Sequence, residues 1–381
     1  MVAQTPLHVR PQHIPMFDLR GALAGAAEAI HQNLAEMHQK GQYILGPQTT
    51  AFEIEFALEV SGSSAVGVGS GTAALELCLR DAGIGRWGSG PPTDEVIIPS
   101  MTSLFTAQAV LATGARIRVA DVSPENLLLS AESVERAFTP ATRAVIAVHL
   151  YGQPCDLPAL AALCKQRGVV LIQDACQAHG ASVKGLPLTA YSPYCAYSFY
   201  PTKNLGCLGD GGAIVTSDPE TASRLRQLRD GGRLGDQLCR GTGLNSRLDE
   251  IQACYLRAFL PHLKAWNQRR RELASIYADA LRGVRSLRLL DWDSDSVHHL
   301  CVARSPRRDA LRAFLADLEI QTAVHYPVAI QDQPGLIPHA SWAETPVHGA
   351  QAAQEILSLP LGPHLSHEQV QFVAETIGEF E

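Results

Sequence analysis

Apolar positions along the chain follow two alternating rhythms. Leu23, Ala27, Ile30, Leu34 and Met37 recur at helical spacing and predict an amphipathic helix over 19–40. The stretch Tyr43-Ile44-Leu45-Gly46-Pro47 interrupts it, and a second helix is expected at 50–60. Then come short, mainly apolar runs at 65–69, 95–99, 144–149 and 169–174, and an alternating one at 116–121. Each is too short for a stable helix and reads as a buried strand. Helical patterns at 73–82, 102–112, 134–138 and 157–167 separate them. Such alternation predicts an α/β fold with a large, mainly parallel sheet sandwiched by helices. Ligands in these sheets sit beyond the carboxyl ends of the strands, where the turn Ser70-Gly71-Thr72 and Asp174 both fall.

Further on, a helix is expected at 219–228, then a glycine-rich segment at 231–243. A long helical region follows over 245–281, with Asn245 or Ser246 as its cap. The tail from 288 mixes strands (299–304, 322–325) with helices (308–318, 351–357, 366–377). The proline-punctuated residues 1–15 read as an arm and the Gly/Ser/Pro-rich 87–94 as a loop. Residues 16–250 form the expected large domain. Residues 251–381 supply a long connecting helix and a small C-terminal α+β domain. No internal repeat is visible.

Composition narrows the function. The 381 residues are 46% hydrophobic and 18% charged, with a net charge of −7 and no basic stripe. That argues against a nucleic-acid partner. Three consecutive arginines, Arg269 to Arg271, fit a solvated helix face. No basic-plus-apolar leader and no apolar run of about 18 residues stands in the sequence, so a soluble cytoplasmic protein without a membrane partner is expected. The nine cysteines form no CxxC pair. They read as reduced thiols, and no metal site is expected.

The chemistry centres on Ser198-Phe199-Tyr200-Pro201-Thr202-Lys203-Asn204-Leu205-Gly206. Lys203 is boxed in the sequence by Tyr197, Phe199, Tyr200, Pro201 and Leu205 and precedes a glycine-rich turn. A desolvated lysine has a lowered pKa and attacks carbonyls, whereas a lysine beside a turn can equally be a solvated surface group. Ser70-Gly71-Thr72 opens a helix whose free N–H groups suit an anion, although the same residues serve as a plain N-cap. Helix N-terminus, strand-end acid and apolar lysine together match what pyridoxal 5′-phosphate (PLP) requires for its phosphate, ring nitrogen and aldehyde.

The motifs extend the match. Phe17-Asp18-Leu19, Tyr43–Pro47, Val66–Leu75, Val148–Gln153, Asp174–Ala181, Ser198–Thr216, Asn245–Ala253 and His325-Tyr326-Pro327 occur in order. On these stretches the chain resembles, over nearly its full length, the DegT/DnrJ/EryC1/StrS family of PLP-dependent sugar aminotransferases. The resemblance implies a fold-type I PLP transferase. Lys203 would hold the cofactor and shuttle protons, Asp174 would pair with the ring nitrogen, and Gln177 would bond the ring hydroxyl. Cys176 would lie against a ring face, with Gly71, Thr72 and Ser198 on the phosphate. Asn245 would reach the phosphate from the neighbouring subunit of a homodimer with shared sites. His325, Tyr326 and Tyr151 would contact substrate, while His149 and His179 read as structural histidines. The ring-stacking aromatic of the family is replaced by Ser103, with Phe105 as a substitute two residues on. No histidine stands near Gln331, where 3-aminotransferases often carry one.

The implied reaction moves an amino group from L-glutamate to a keto group, possibly at C3, of a nucleotide-linked 6-deoxy ketosugar, by ping-pong kinetics. A keto-inositol acceptor is the alternative within enzymes. A silent PLP- or sugar-nucleotide-binding regulator is the alternative outside them, and Lys203, Asp174 and Gln177 argue against it.

Overall fold

The computed structural model describes residues 13–85, 94–233 and 238–380. Thirteen strands lie among them: β1 (Ser64–Val68), β2 (Glu95–Pro99), β3 (Arg116–Ala120), β4 (Thr142–Val148), β5 (Val170–Asp174), β6 (Ser182–Val183), β7 (Leu186–Pro187), β8 (Cys195–Ser198), β9 (Gly212–Thr216), β10 (Arg288–Leu289), β11 (Cys301–Arg304), β12 (Ala340–Trp342) and β13 (Ile356–Leu359). Eight of them form one sheet in the order β1-β9-β8-β5-β4-β2-β3-β12. Every neighbouring pair is parallel except the two made by β9, which alone runs the other way. The carboxyl ends of β1, β2, β4, β5 and β8 therefore share one edge. β5 and β9 are buried along nearly every residue, so both faces of the sheet are covered. This is the α/β sandwich expected from the sequence.

The helices are α1 (Arg20–Gly25), α2 (Ala27–Lys40), α3 (Pro47–Glu59), α4 (Gly71–Asp81), α5 (Leu104–Ala112), α6 (Ala131–Ala137), α7 (Leu157–Arg167), α8 (Pro219–Arg229), α9 (Glu250–Phe259), α10 (Leu263–Ala280), α11 (Arg308–Asp317), α12 (Val347–Glu355) and α13 (His367–Gly378). One hydrophobic cluster holds the large sheet with α3, α4 and α9. A second gathers Leu273 and Tyr277 of α10, Leu311 and Leu315 of α11, and Val370 and Ile377 of α13. It lies on the antiparallel sheet β10-β11-β13. Ile14 belongs to this second cluster and pairs with Ile320.

Several elements differ from their sequence-based expectation. The helix expected over 19–40 is two helices, broken at Ala26 after the weak helix former Gly25. The second helix starts earlier, at Pro47, because a proline at the first position has no N–H to lose. Its next two N–H groups donate to the Glu250 carboxylate, Gln48 at 3.0 Å and Thr49 at 2.8 Å. Neither Asn245 nor Ser246 caps α9; Asp249 holds that position. Pro261 lies in a short 3-10 turn that separates α9 from α10, so the long helix is not continuous.

Residues 322–325 form no strand, and only Ala323 bridges to Ser358. The helix expected over 351–357 instead ends at Glu355 and gives way to β13. Strand β12 has no counterpart in the sequence reading, yet it extends the large sheet from the C-terminal part of the chain. Residues 1–12 of the expected arm, 87–93 of the expected loop and 234–237 of the glycine-rich segment lie outside the described residues. Among the described residues no helix is long and apolar enough to cross a membrane.

Candidate active site

The strand ends build the site from three directions. From β1 the chain passes through Gly69 and Ser70 into α4, where the Ser70 hydroxyl accepts from Ala73 N at 3.1 Å. The first N–H groups of α4, at Gly71 and Thr72, are left for an external acceptor. A Cβ on Gly71 would stand 2.6 Å from Cys176 Sγ and 2.8 Å from Ser198 Cβ, so the turn closes this tightly only with glycine. Two buried charges brace the strand behind it. Glu53 accepts from Gly67 N at 2.8 Å, and Arg229 donates both to Gly67 O at 2.8 Å and to Glu53.

At the end of β5, Asp174 is buried, and its two oxygens are held separately. Oδ2 accepts from the Thr106 hydroxyl at 2.8 Å, and Oδ1 accepts from Cys176 N at 3.2 Å. Thr102 lies 3.0 Å behind Thr106. Burial pushes the neighbouring Cys176 thiol well above its usual pKa, so it presents a neutral sulfur.

After β8 the chain turns with Lys203 N donating to Tyr200 O at 2.9 Å. The Lys203 side chain is half-buried and makes no hydrogen bond or ion pair among the described residues. Burial lowers its pKa, and Cys176 and Asp174 oppose that to a lesser degree. The aromatic run does not wrap the amine as the sequence suggested. Tyr197 and Phe199 sit in the core beside Phe56 and His179, while Tyr200 is exposed. They anchor the backbone that carries Lys203.

These groups open onto one cavity of about 550 Å³. Gly71, Thr72, Asp174, Cys176, Gln177, Ser198 and Lys203 line it, as do Ser103, Phe105, His325 and Tyr326. Phe105 is 62% exposed and stands at the rim, whereas Ser103 faces inward. Gln177 Oε1 accepts from Tyr151 N at 2.6 Å, and its Nε2 donates to the Tyr326 hydroxyl at 3.1 Å. One N–H of that amide stays free. Ser103 also hydrogen-bonds the Tyr326 phenol, whose pKa burial raises to about 12. His325 bonds Ser358 through Nδ1 at 2.9 Å, and burial lowers its pKa to about 4. The His325–Tyr326 peptide bond is cis.

Two expected residues lie elsewhere. Tyr151 is buried behind the wall, its hydroxyl given to the His325 carbonyl. Asn245 is exposed, paired through its backbone with Asp230 and outside the cavity. His149 is a core residue with both ring nitrogens bonded. His179 bonds Ser198 O at 2.9 Å. Two residues were missed. Thr106 stands in the first turn of α5, four residues after Thr102, which precedes the helix and meets it through the hydroxyls at 3.0 Å. His299 lines the cavity from just before β11, where His298-His299 stood at the head of an apolar run.

The arrangement can hold an anion at α4, oppose a carboxylate to a cationic ring nitrogen, and offer an amine of lowered pKa to a carbonyl. Among the described residues no group of three or more His, Cys, Asp or Glu side chains could hold a metal ion.

Comparison with known proteins points the same way. A sequence model of the DegT/DnrJ/EryC1/StrS aminotransferase family matches residues 25–378. The dTDP-3-amino-3,4,6-trideoxy-alpha-D-glucose transaminase of Streptomyces venezuelae is 42% identical over 380 residues, 99% of this chain and 97% of that protein. Among solved structures, S. venezuelae DesV in complex with a ketimine intermediate matches with a TM-score of 0.92 and 42% identity, covering 97% of this chain and 98% of that one. NtdA from Bacillus subtilis with bound cofactor PMP matches at a TM-score of 0.86 and 27% identity, covering 97% and 86%.

Proposed function

As the chain belongs to the DegT/DnrJ/EryC1/StrS aminotransferase family and is an aminotransferase, we propose that it transfers an amino group from L-glutamate to C3 of a nucleotide-linked 6-deoxy ketosugar. The observation that carries this reading is Lys203, an unpaired amine of lowered pKa in a cavity it shares with Asp174 and the start of α4. The S. venezuelae relative, a transaminase named for a dTDP-linked 3-amino sugar, supports the choice of acceptor.

The residues fit pyridoxal phosphate. Gly71 leaves a close cradle that a Cβ would fill, and it adjoins Ser198. The N–H groups of Gly71 and Thr72 with the Ser198 hydroxyl would take the phosphate. Asp174, kept in place by Thr106 and Cys176 N, would hold the ring nitrogen protonated. The free N–H of Gln177 would reach the ring hydroxyl, and the neutral Cys176 thiol would lie against a ring face. Ser103 leaves room on the cavity side, with Phe105 at the mouth.

When bound, pyridoxal phosphate supplies an aldehyde for imine formation and a ring that accepts electrons from the amino-bearing carbon. Lys203 would take the proton from that carbon and return it to the carbon on the far side of the nitrogen, two atoms away. In the second half of the cycle the same lysine would carry the proton in the opposite direction with the ketosugar, which gives ping-pong kinetics. His325 and Tyr326 contact the sugar, and Tyr151 fixes them from behind through the His325 carbonyl.

The enzyme acts as a homodimer in the cytoplasm. Asn245 stands exposed outside its own cavity, and Ile54, Leu58 and Ile251 are exposed on the packed pair α3 and α9. Both features suit a second copy that receives Asn245 at its phosphate. Sedimentation of the purified protein tests the dimer.

The function is tested by supplying L-glutamate and following amine transfer by mass spectrometry to dTDP- and UDP-linked 3-ketosugars and to a keto-inositol. Amination of a nucleotide-linked sugar, abolished in Lys203→Ala, is the expected result. Transfer only to the keto-inositol would move the acceptor to the cyclitols, and transfer to none would remove the reading.

A further inference from the structure

A chain of hydrogen bonds fixes the proton on a histidine that the mechanism above does not use. Two backbone carbonyls start it. Asn267 Nδ2 donates to His179 O at 2.8 Å, so Asn267 Oδ1 faces Asn204. Asn204 Nδ2 then donates to Asn267 Oδ1 at 2.8 Å and to Val297 O at 3.0 Å. Both of its N–H bonds are thereby used, and only Asn204 Oδ1 can face His299 Nδ1, 3.0 Å away. An amide oxygen accepts, so Nδ1 of His299 carries the proton and Nε2 carries a bare lone pair.

That lone pair is accessible. His299 is only 5% exposed, yet it lines the same cavity as Lys203 and His325. Its Nε2 has no partner among the described residues and is not walled off by protein. Arg270 fixes the backbone by donating to His299 O at 3.0 Å, and Asn204 is the residue next to Lys203. Burial and nearby Lys203 both keep the ring neutral.

We propose that His299 is a specificity-determining residue whose Nε2 accepts a hydrogen bond from a hydroxyl of the acceptor sugar. The proposal rests on the nucleotide-sugar reading above. The groups suited to the cofactor come from α4, β5 and β8, whereas His299 enters beside His325 and Tyr326, the side left for the sugar. Sugar hydroxyls are the donors such a ligand brings. A neutral acceptor-only nitrogen selects a hydroxyl over a keto oxygen or a hydrogen at that carbon.

Calorimetric titration of the PLP-loaded enzyme with dTDP-6-deoxyglucose, which has hydroxyls but neither keto group nor amine, and with dTDP alone tests this. His299→Asn keeps an N–H near the position of Nδ1 but does not reach that of Nε2. It should weaken dTDP-6-deoxyglucose by about three- to tenfold, the value of one neutral hydrogen bond, and leave dTDP unchanged. Equal loss for both ligands, or no loss for either, overturns the proposal. If the wild type binds neither, the nucleotide-sugar reading falls and takes the proposal with it. Should the variant fail to fold, nitrogen-15 spectra of histidine-labelled wild type decide. An unprotonated Nε2 at His299 that shifts on adding dTDP-6-deoxyglucose is expected, and a protonated Nε2 overturns the assignment.

Discussion

The Thr106 hydroxyl donates to Oδ2 of Asp174 at 2.8 Å, joining the first turn of α5 to the end of β5. The acid is buried and makes no ion pair among the described residues, so its orientation comes from this hydroxyl and from Cys176 N. If Asp174 serves the ring nitrogen as proposed, a hydrogen bond that aims it is worth more than its share of stability.

Asp174→Asn removes the charge while keeping the shape. Activity should fall by roughly 10²–10⁴-fold, the range for losing a positioned proton partner. Thr106→Val keeps the charge and frees one oxygen. A loss of about tenfold in kcat with near-native melting is expected, since only aim is lost. Steady-state kinetics and thermal melts of the two variants give the comparison. A Thr106→Val enzyme as damaged as Asp174→Asn would mean the hydroxyl does more than orient.

Gly71 is the tightest point of the proposed phosphate cradle. An added methyl would press on Cys176 Sγ at 2.6 Å and Ser198 Cβ at 2.8 Å, and neither contact lies at the far end of a flexible chain. Gly71→Ala should weaken cofactor retention by at least about tenfold, with the displaced turn as the cause. Adding Cys176→Ala removes one of the two contacts and should recover part of the loss. Dialysis followed by cofactor absorbance measures both; retention unchanged in Gly71→Ala would show that the turn relaxes freely.

The sequence carried the strand-end chemistry because β strands with continuous apolar runs leave little choice of register. Asp174 closes such a run, Ser70–Thr72 follows another, and both arrive where expected. The losses occur where tertiary contact overrides local pattern. Strand β12 is three half-buried residues that exist only because β3 offers an edge. The segment Ile356–Leu359 looks helical by composition and becomes β13 because β11 lies beside it. Ser246 has the composition of a cap, yet its hydroxyl serves Gly69 N, 177 positions away in the chain. The setting of Lys203 was legible in kind but not in detail, since the aromatics flank its backbone and leave the amine facing the cavity. His299 and Thr106 had signals too short to separate from ordinary core polar residues.

Glu53 and Arg229 are a buried pair that clamps both polar groups of Gly67 in β1, one turn before the proposed cradle. Breaking such a pair leaves an uncompensated charge inside, at about 3–5 kcal/mol. Glu53→Gln is therefore expected to be strongly destabilising, and it should also loosen the cofactor because β1 leads into α4. Denaturant titration checks the first effect and cofactor absorbance the second. A loss below about 1 kcal/mol, the range of exposed pairs, would show that water reaches Arg229.

Acid stability should depend on the buried histidines, and His149 gives the sign. Its Nδ1 accepts from Cys155 N at 3.1 Å, so the proton is on Nε2, which faces Gln173 Oε1 at 3.1 Å. Protonating Nδ1 would break the bond to Cys155 and place a charge in the core. Burial accordingly lowers this imidazole from 6.5 to about 4. In the unfolded chain the ring titrates near 6.5, so between there and about 4 the unfolded state binds more protons. The contribution is present in full above that window and is lost as the pH falls through it, by about 1.4 kcal/mol per pH unit for one such group. His179, lowered to about 3, acts in the same direction over a wider window. Unfolding free energies measured by denaturant from pH 7.5 down to 4.5 should therefore fall steeply. His149→Gln should be less stable at neutral pH yet lose stability less steeply on acidification, because one proton uptake has been removed. Parallel curves for wild type and variant would show that His149 takes up its proton at the same pH in the folded and unfolded states.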